Sequence, residues 1–215
     1  MKRSFPLTLV LLAALAVCLG VPSRPAHAAP VTPTAVASTP AAVDSLAMLE
    51  KAVARDSTKF DKVYALGVAY MDRERMLEAL RVFEKANQLQ PKNVKVLVNM
   101  GIAADAVGHP DAAQDYYQRA LTIAPGDTLA GCRMASSKYA QGKNDESMNM
   151  LRTMIAKNPK AHCAYFTLGV AFADAGIYRD AIRMWKKVVE LAPDSPEAVS
   201  AKESIDVLEK FLAGK

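Results

Sequence analysis

A period of 34 residues runs through most of this chain and constrains its fold more than any other feature. Four prolines share the period, at Pro91, Pro125, Pro159 and Pro193. Two other positions of the repeat carry small residues, namely Gly67, Gly101, Ala135 and Gly169 at one and Ala79, Ala113, Ser147 and Ala181 at the other. A further position carries the large apolar residues Phe83, Tyr117, Leu151 and Trp185. Repetition at a fixed spacing of this size is typical of architectures in which similar units stack side by side.

Each unit has the pattern of two helices joined by a tight turn. Apolar residues in the first unit lie three or four positions apart, as at Val63, Leu66 and Tyr70, which is the spacing of one helix face. Glycines recur between the two apolar stretches, at Gly108, Gly142 and Gly176, where a left-handed backbone can end a helix. The proline after the second stretch stops that helix because proline lacks an N–H group. Asn93, Asp127 and Ser195 then stand as suitable N-caps for the next helix. The sequence therefore predicts an all-α chain of helical hairpins.

The repeat resembles the tetratricopeptide repeat (TPR) family. That family has a small residue at position 8, an aromatic or aliphatic residue at 11, alanine at 20, a large apolar residue at 24, alanine at 27 and proline at 32. The first unit matches it at Gly67, Tyr70, Ala79, Phe83, Ala86 and Pro91. The resemblance implies a right-handed α-solenoid of antiparallel hairpins, with repeats at residues 60–93, 94–127, 128–161 and 162–195. Residues 43–59 resemble a degenerate half-repeat that forms an N-terminal cap, and residues 196–215 a C-terminal capping helix of the kind such arrays require.

The third unit departs from the repeat pattern. It carries Gly131 where a large residue is usual, and methionines at 134, 148, 150 and 154. Glycine inside a helix costs about 1 kcal/mol relative to alanine, and methionine fills space without specifying one packing. Two interpretations follow. One is sequence drift in a repeat array that tolerates substitutions, and the other is a functional feature at Gly131, either a flexible joint or a small pocket.

The N-terminus has the features of a secretory signal peptide. Lys2 and Arg3 precede an apolar run over residues 7–20, and a small-x-small cleavage site ends at Ala28. The run is too short for a comfortable transmembrane helix. We therefore expect residues 1–28 to be removed, with a lipoprotein signal at Cys18 as the alternative. Residues 29–42, rich in Pro, Ala and Thr, are interpreted as a disordered tether.

Charge then argues against nucleic acid as a partner. The whole chain has a formal charge of +5, but after residue 28 the 24 basic and 22 acidic residues give only +2. The chain also has no cluster of Lys and Arg of the kind that tracks phosphates. We expect an exported, periplasmic protein whose partner is another protein.

Catalytic motifs are missing from the sequence. There is no phosphate-binding glycine loop, nucleophile elbow or His-x-x-x-His pair. His162 and Cys163 with Cys132 would make a poor metal site, because structural zinc needs four converging ligands at recognisable spacing. We therefore expect no enzymatic activity, no cofactor and no metal.

The resemblance places Cys132 and Cys163 on neighbouring first helices, at positions 5 and 2 of successive repeats. An exported chain meets an oxidising compartment, so a disulfide is one interpretation, which requires their Cα atoms to lie within about 7 Å. Two free thiols are the other interpretation.

The resemblance also implies a concave groove lined by the first helix of each repeat. The predicted partner-binding residues are Tyr64, Val68, Met71, Lys95, Val98, Ile102, Leu129, Tyr139, Phe166 and Val170. Such an apolar surface is typical of a binding site, unless the chain's own capping helices or tether cover it.

The groove lacks the Lys and Asn with which some TPR domains clamp a carboxylate, since Tyr64 and Val68 occupy those positions, although Asn99 and Arg133 stand at matching later ones. We therefore expect the ligand to be an extended or helical peptide with apolar anchors rather than a free carboxylate. The functional hypothesis is a scaffold in the cell envelope, with self-association or an accessory role beside an envelope enzyme or assembly machine as alternatives. Similar exported bacterial TPR proteins act in outer-membrane or pilus biogenesis and cytochrome c maturation.

Overall fold

The computed structural model describes residues 40–214, with side chains described from residue 45 onward. Ten helices and no strand lie in that range: α1 (Pro40–Arg55), α2 (Phe60–Met71), α3 (Met76–Leu89), α4 (Val94–Ala106), α5 (Pro110–Ile123), α6 (Thr128–Ala140), α7 (Asn144–Lys157), α8 (His162–Asp174), α9 (Tyr178–Leu191) and α10 (Pro196–Ala213). The described residues form two compact units, residues 40–123 and residues 124–214. The predicted signal peptide, with Cys18, lies outside the described residues.

The prediction of an all-α repeat of hairpins is confirmed. Helices α2, α4, α6 and α8 begin at residues 60, 94, 128 and 162, which are the first residues of the four predicted repeats. The unit of residues 40–123 contains α1 and two hairpins, and the unit of residues 124–214 contains two hairpins and α10.

A glycine against an aromatic ring holds three of the four hairpins together. A Cβ atom added to Gly67 would lie 2.5 Å from the Phe83 ring, and one added to Gly101 or Gly169 would overlap Tyr117 or Trp185. Tyr117 and Trp185 are buried, and their polar atoms are satisfied: Tyr117 donates to Asp105 at 3.0 Å, and Trp185 Nε1 donates to the Phe166 carbonyl at 3.2 Å. The recurrent small residue therefore exists to admit the ring of the facing helix.

The third hairpin uses a different pair at the same place. Ala135 and Leu151 are both fully buried where the other hairpins have glycine and an aromatic residue. Ser147 replaces the usual alanine, and its buried hydroxyl donates to the Ala135 carbonyl at 2.7 Å. The Met154 side chain lies against Gly131, since a Cβ there would be 2.8 Å from its Cε. Met154 thus fills the space beside Gly131, where one of the two interpretations placed a small pocket.

The turns inside the hairpins require a left-handed residue. Gly108, Gly142 and Gly176 have φ of 82°, 76° and 74°, as predicted. In the first hairpin the corresponding residue is Glu74, whose φ is 59°. Residues with a Cβ disfavour this region by roughly 1–2 kcal/mol, so the first hairpin adopts the common turn at an energetic cost.

The predicted N-caps are formed. The side chains of Asn93, Asp127 and Ser195 each accept a hydrogen bond from the backbone N–H group three residues later in the chain. The donor–acceptor distances are 3.3, 2.7 and 3.1 Å. Helix α8 instead begins after Ala161, whose side chain cannot cap. The junction between the third and fourth hairpins therefore lacks a stabilising contact that the others have.

The two end helices differ from the predictions in detail. Helix α1 begins at Pro40, three residues before the predicted boundary, because proline is favoured in a first helical turn and Ala41 and Ala42 favour helix. Helix α10 packs against α9, and its Ala198, Ala201 and Leu208 are buried in a cluster with Trp185. Its exposed Glu203 stands where the hairpins have glycine or alanine, so α10 lacks the small residue that admits a facing ring in the hairpins.

Candidate functional site

The predicted groove residues of the unit of residues 40–123 lie on α2 and α4. Tyr64, Val68 and Met71 are half-buried, Lys95 is exposed, and Val98 and Ile102 are buried. Tyr64 is held in place from two sides, because its ring stacks on Phe60 with centroids 5.8 Å apart and its hydroxyl accepts a hydrogen bond from Asn99 at 3.1 Å. Asn99 is thereby engaged with the protein itself, which leaves a fixed aromatic ring rather than a carboxylate clamp.

A shallow cleft marks the corresponding face of the unit of residues 124–214. It is lined by Leu129, Cys132, Arg133, Ser136, Cys163, Phe166, Thr167 and Glu197, from α6, α8 and the start of α10. Its enclosed volume is about 20 Å³, room for one water molecule. Leu129 is 50% exposed at its edge, and Arg133 and Glu197 bring opposite charges to its lining. The cleft can take the tip of an apolar side chain with a polar neighbour.

A disulfide joins Cys132 of α6 to Cys163 of α8 in the lining of this cleft. Their Cα atoms are 6.1 Å apart, within the range that a disulfide spans. Cys132 is buried, whereas Cys163 is half-buried. The bond therefore connects the third hairpin covalently to the fourth.

Tyr139 contributes a second link between α6 and α8. Its hydroxyl donates to Asp174 Oδ2 at 2.7 Å. Burial of the ring, together with the hydrogen bond and the negative charge of Asp174, raises the pKa of Tyr139 well above its usual value. Tyr139 is therefore a neutral hydroxyl at physiological pH, and its hydrogen bond to Asp174 joins α6 to α8.

Four of the ten predicted groove residues are less accessible than the sequence predicted. Val98, Ile102, Phe166 and Val170 are between 1% and 8% exposed. Phe166 and Val170 belong to the buried cluster that also contains Ala198, Ala201 and Leu208, because α10 supplies apolar side chains to this part of the core. The surface open to a partner consequently reduces to Tyr64, Val68, Met71 and Lys95 in one unit and Leu129 and Tyr139 in the other.

Sequence reasoning left Thr167 and Glu197 out of the site. Both could have been found from a spacing of 31 residues. This spacing pairs position 5 of one first helix with position 2 of the next, and position 9 with position 6. Cys132 and Cys163 have this separation, and so do Ser136 and Thr167, whose hydroxyl oxygens lie 3.4 Å apart. The same spacing takes Phe166 to Glu197.

The residues that the structure describes contain neither a candidate metal site nor a candidate membrane-spanning helix. No group of three or more His, Cys, Asp or Glu residues among residues 40–214 could hold a metal ion. No helix among these residues combines the length and apolar character needed to cross a bilayer.

Models of the tetratricopeptide repeat match residues 63–93, 94–127 and 132–196, which together make up more than half of the chain. Protein FlbA of Caulobacter vibrioides is 24% identical over 120 residues, which cover 56% of this chain. The match spans only 20% of that relative's own length.

Two solved structures show the same fold. The crystal structure of YrrB, described as a TPR protein with an unusual peptide-binding site, has a TM-score of 0.54 and 26% identity, covering 76% of this chain and 84% of that one. TTC0263, a thermophilic TPR protein in Thermus thermophilus, has a TM-score of 0.63 and 16% identity, covering 76% and 90%. Proteins with this fold serve in general as protein–protein interaction modules. With its period, its ring-on-glycine hairpins and these matches, the chain belongs to the tetratricopeptide repeat family.

Proposed function

We propose that this chain is an exported, non-enzymatic adaptor that binds a peptide segment of a partner protein on the apolar face of its first helices. The observation that carries the proposal is Leu129, which is half-exposed at the mouth of a cleft with an apolar wall and charged edges. Exposed apolar groups beside a concave site are a common feature of binding surfaces. YrrB, a TPR protein of similar structure, is described as having a peptide-binding site, which supports the same use of the fold here.

The chemistry of the bound segment follows from the cleft. An aliphatic side chain would contact Leu129, while a neighbouring polar or charged group would face Arg133 or Glu197. In the unit of residues 40–123, the ring of Tyr64 and the side chains of Val68 and Met71 offer a second apolar contact. A segment with apolar anchors fits both faces better than a free carboxylate does, because neither carries the paired Lys and Asn of a clamp.

A photoreactive residue tests the binding proposal. It would replace Leu129, with Val207 as the matched control, since Val207 is 44% exposed on α10 and does not line the cleft. In living cells we expect a crosslinked product of one discrete mass from position 129 and none from position 207. The same product from both positions, or none from position 129, contradicts the proposal. A product of twice the chain's mass shows self-association instead.

Export is supported by two separate features. The signal-peptide pattern of residues 1–28 is one, and the Cys132–Cys163 disulfide is the other, because disulfides persist in oxidising compartments such as the periplasm and are rare in the cytosol. Mass spectrometry of the mature protein tests this proposal. We expect an N-terminus at Ala29, whereas a diacylated Cys18 would show a lipid-anchored protein and an intact Met1 would contradict export.

A further inference from the structure

The disulfide lies where the array has the fewest other stabilising features. The third hairpin is the only one of the four described hairpins without a ring packed on glycine, having Ala135 and Leu151 instead. Its second helix, α7, buries only Ser147 and Leu151, whereas α3 and α5 bury three residues each and α9 buries four. The next helix, α8, begins after Ala161 without a side-chain cap. These three features flank the bond between Cys132 and Cys163 on the chain.

The neighbouring hairpins have what the third one lacks. The fourth has Trp185 buried against Gly169 and hydrogen-bonded to the Phe166 carbonyl, and α10 covers it. The second has Tyr117 buried against Gly101. In a repeat protein, each hairpin is stabilised by its own packing and by contacts with its neighbours. The hairpin whose second helix buries the fewest side chains, the third, should therefore be the first to open locally.

We propose that the Cys132–Cys163 disulfide is a redox switch for the third hairpin: residues 128–161 are ordered when the bond is formed and open when it is reduced, while the other three hairpins stay folded. The bond has this effect because it ties α6 to the stable fourth hairpin across 31 residues of chain. It thereby restricts the open state far more than the native one. This inference concerns folding and stands independently of the proposed binding function.

Reduction requires a dithiol, such as the reduced active site of a thiol–disulfide oxidoreductase. A thiolate of the dithiol attacks Sγ of Cys163, the more exposed of the two cysteines, and the Cys132 thiolate leaves. The second thiolate of the reductant then resolves the mixed disulfide. Two electrons and two protons pass to the chain, so that two cysteine thiols form while the dithiol becomes a disulfide.

The switch would also control the cleft. Both cysteines line it, together with Leu129, Arg133 and Ser136 of α6. Opening of α6 removes that wall, whereas Tyr64 and the other apolar residues of α2 are unaffected. Reduction would thus disable the cleft and leave the apolar face of the unit of residues 40–123 intact.

Hydrogen exchange measured by mass spectrometry tests the proposal on the mature full-length chain. Oxidised protein is compared with protein reduced by dithiothreitol and alkylated, and with the variant Cys132→Ser/Cys163→Ser. In both reduced forms we expect peptides from residues 128–161 to exchange up to roughly 500-fold faster, following the loop-closure effect of a bond of this span. Peptides from residues 60–123 serve as the internal reference and should keep their protection.

Two outcomes would overturn the proposal. Equal protection of residues 128–161 in the oxidised and reduced chains would show that the bond is not needed for order. Loss of protection throughout the chain would show global unfolding rather than a local switch. The single tryptophan, Trp185, gives a second readout, because its fluorescence should be unchanged if the fourth hairpin remains folded in the reduced chain.

Discussion

The second and third hairpins have identical helix lengths and turn positions, yet different groups hold them together. Helices α4 and α5 are displaced from α6 and α7 by 34 residues at every boundary. The second pairs Gly101 with Tyr117, whereas the third pairs Ala135 with Leu151 and adds a disulfide to the next hairpin. The extra methyl group of alanine compensates for the smaller side chain of leucine, a volume-conserving exchange of the kind that cores tolerate. The backbone of the repeat therefore constrains the combined volume of the two facing side chains rather than the volume of either one.

The largest expected effect comes from crowding the second hairpin. Gly101→Val would push a branched side chain into the fully buried Tyr117 ring, and we expect a loss of about 3 kcal/mol in the free energy of unfolding. Urea denaturation measures it. Gly126→Val is the matched control, because a Cβ at Gly126 meets nothing within 4 Å; a similar loss in the control would contradict the account of position 101.

Converting the third hairpin into the second sharpens the comparison. Leu151→Tyr alone should lower the free energy of unfolding by about 2 kcal/mol, because the ring meets the Ala135 methyl group. Adding Ala135→Gly makes room for the ring, so the double variant should be more stable than the sum of the two single changes predicts. A double-mutant cycle by urea denaturation measures this coupling, which we expect to be about 1–2 kcal/mol. Additive effects would show that the two positions are independent.

The left-handed turn residue distinguishes the first hairpin from the second. Glu74→Gly should raise the free energy of unfolding by about 1 kcal/mol, since glycine adopts the observed φ of 59° without a steric penalty. Gly108→Ala should lower it by a similar amount, because a Cβ is placed at a φ of 82° although the space around it is empty. Thermal unfolding of the two variants in parallel checks the opposite signs. Equal signs would refute the explanation by backbone conformation.

The smallest expected effect concerns a surface ion pair inside the third hairpin. Lys138 Nζ lies 2.7 Å from Glu146 Oε2, and this hydrogen bond holds the pKa of Glu146 below its usual 4.5. A carboxyl whose pKa is depressed in the folded state contributes stability above its unfolded pKa, and that contribution is lost as the pH falls through the folded value. Glu146 is exposed, so the contribution is small.

Comparison with Glu146→Gln measures this contribution. The wild-type chain should be slightly more stable than the variant near neutral pH, and the difference should shrink as the pH falls below 4.5 and vanish once Glu146 is protonated in the folded chain as well. High salt should also reduce it, because exposed pairs are screened. A difference that persists in acid would show that the carboxylate charge is not responsible.

Only part of the candidate site could be predicted from the sequence. The positions of Tyr64, Leu129 and Tyr139 on the first helices followed from the family resemblance, and so did the closeness of Cys132 and Cys163. The burial of Phe166 and Val170 did not, since it depends on α10, whose buried residues in the same cluster lie 28 or more residues further along the chain. The packing of Met154 on Gly131 was equally hidden, because methionine is compatible with many arrangements.

The amino-acid sequence by itself determined the hairpins, their boundaries, the glycine turns at residues 108, 142 and 176 and the caps at Asn93, Asp127 and Ser195. All of these depend on backbone preferences and on neighbours within a few residues, which the sequence lists directly. Tertiary structure alone decided that Cys132 and Cys163 are joined, that Met154 packs on Gly131, and which apolar side chains stay open to a partner. These depend on how distant helices share a limited volume, and local periodicity carries no measure of that volume.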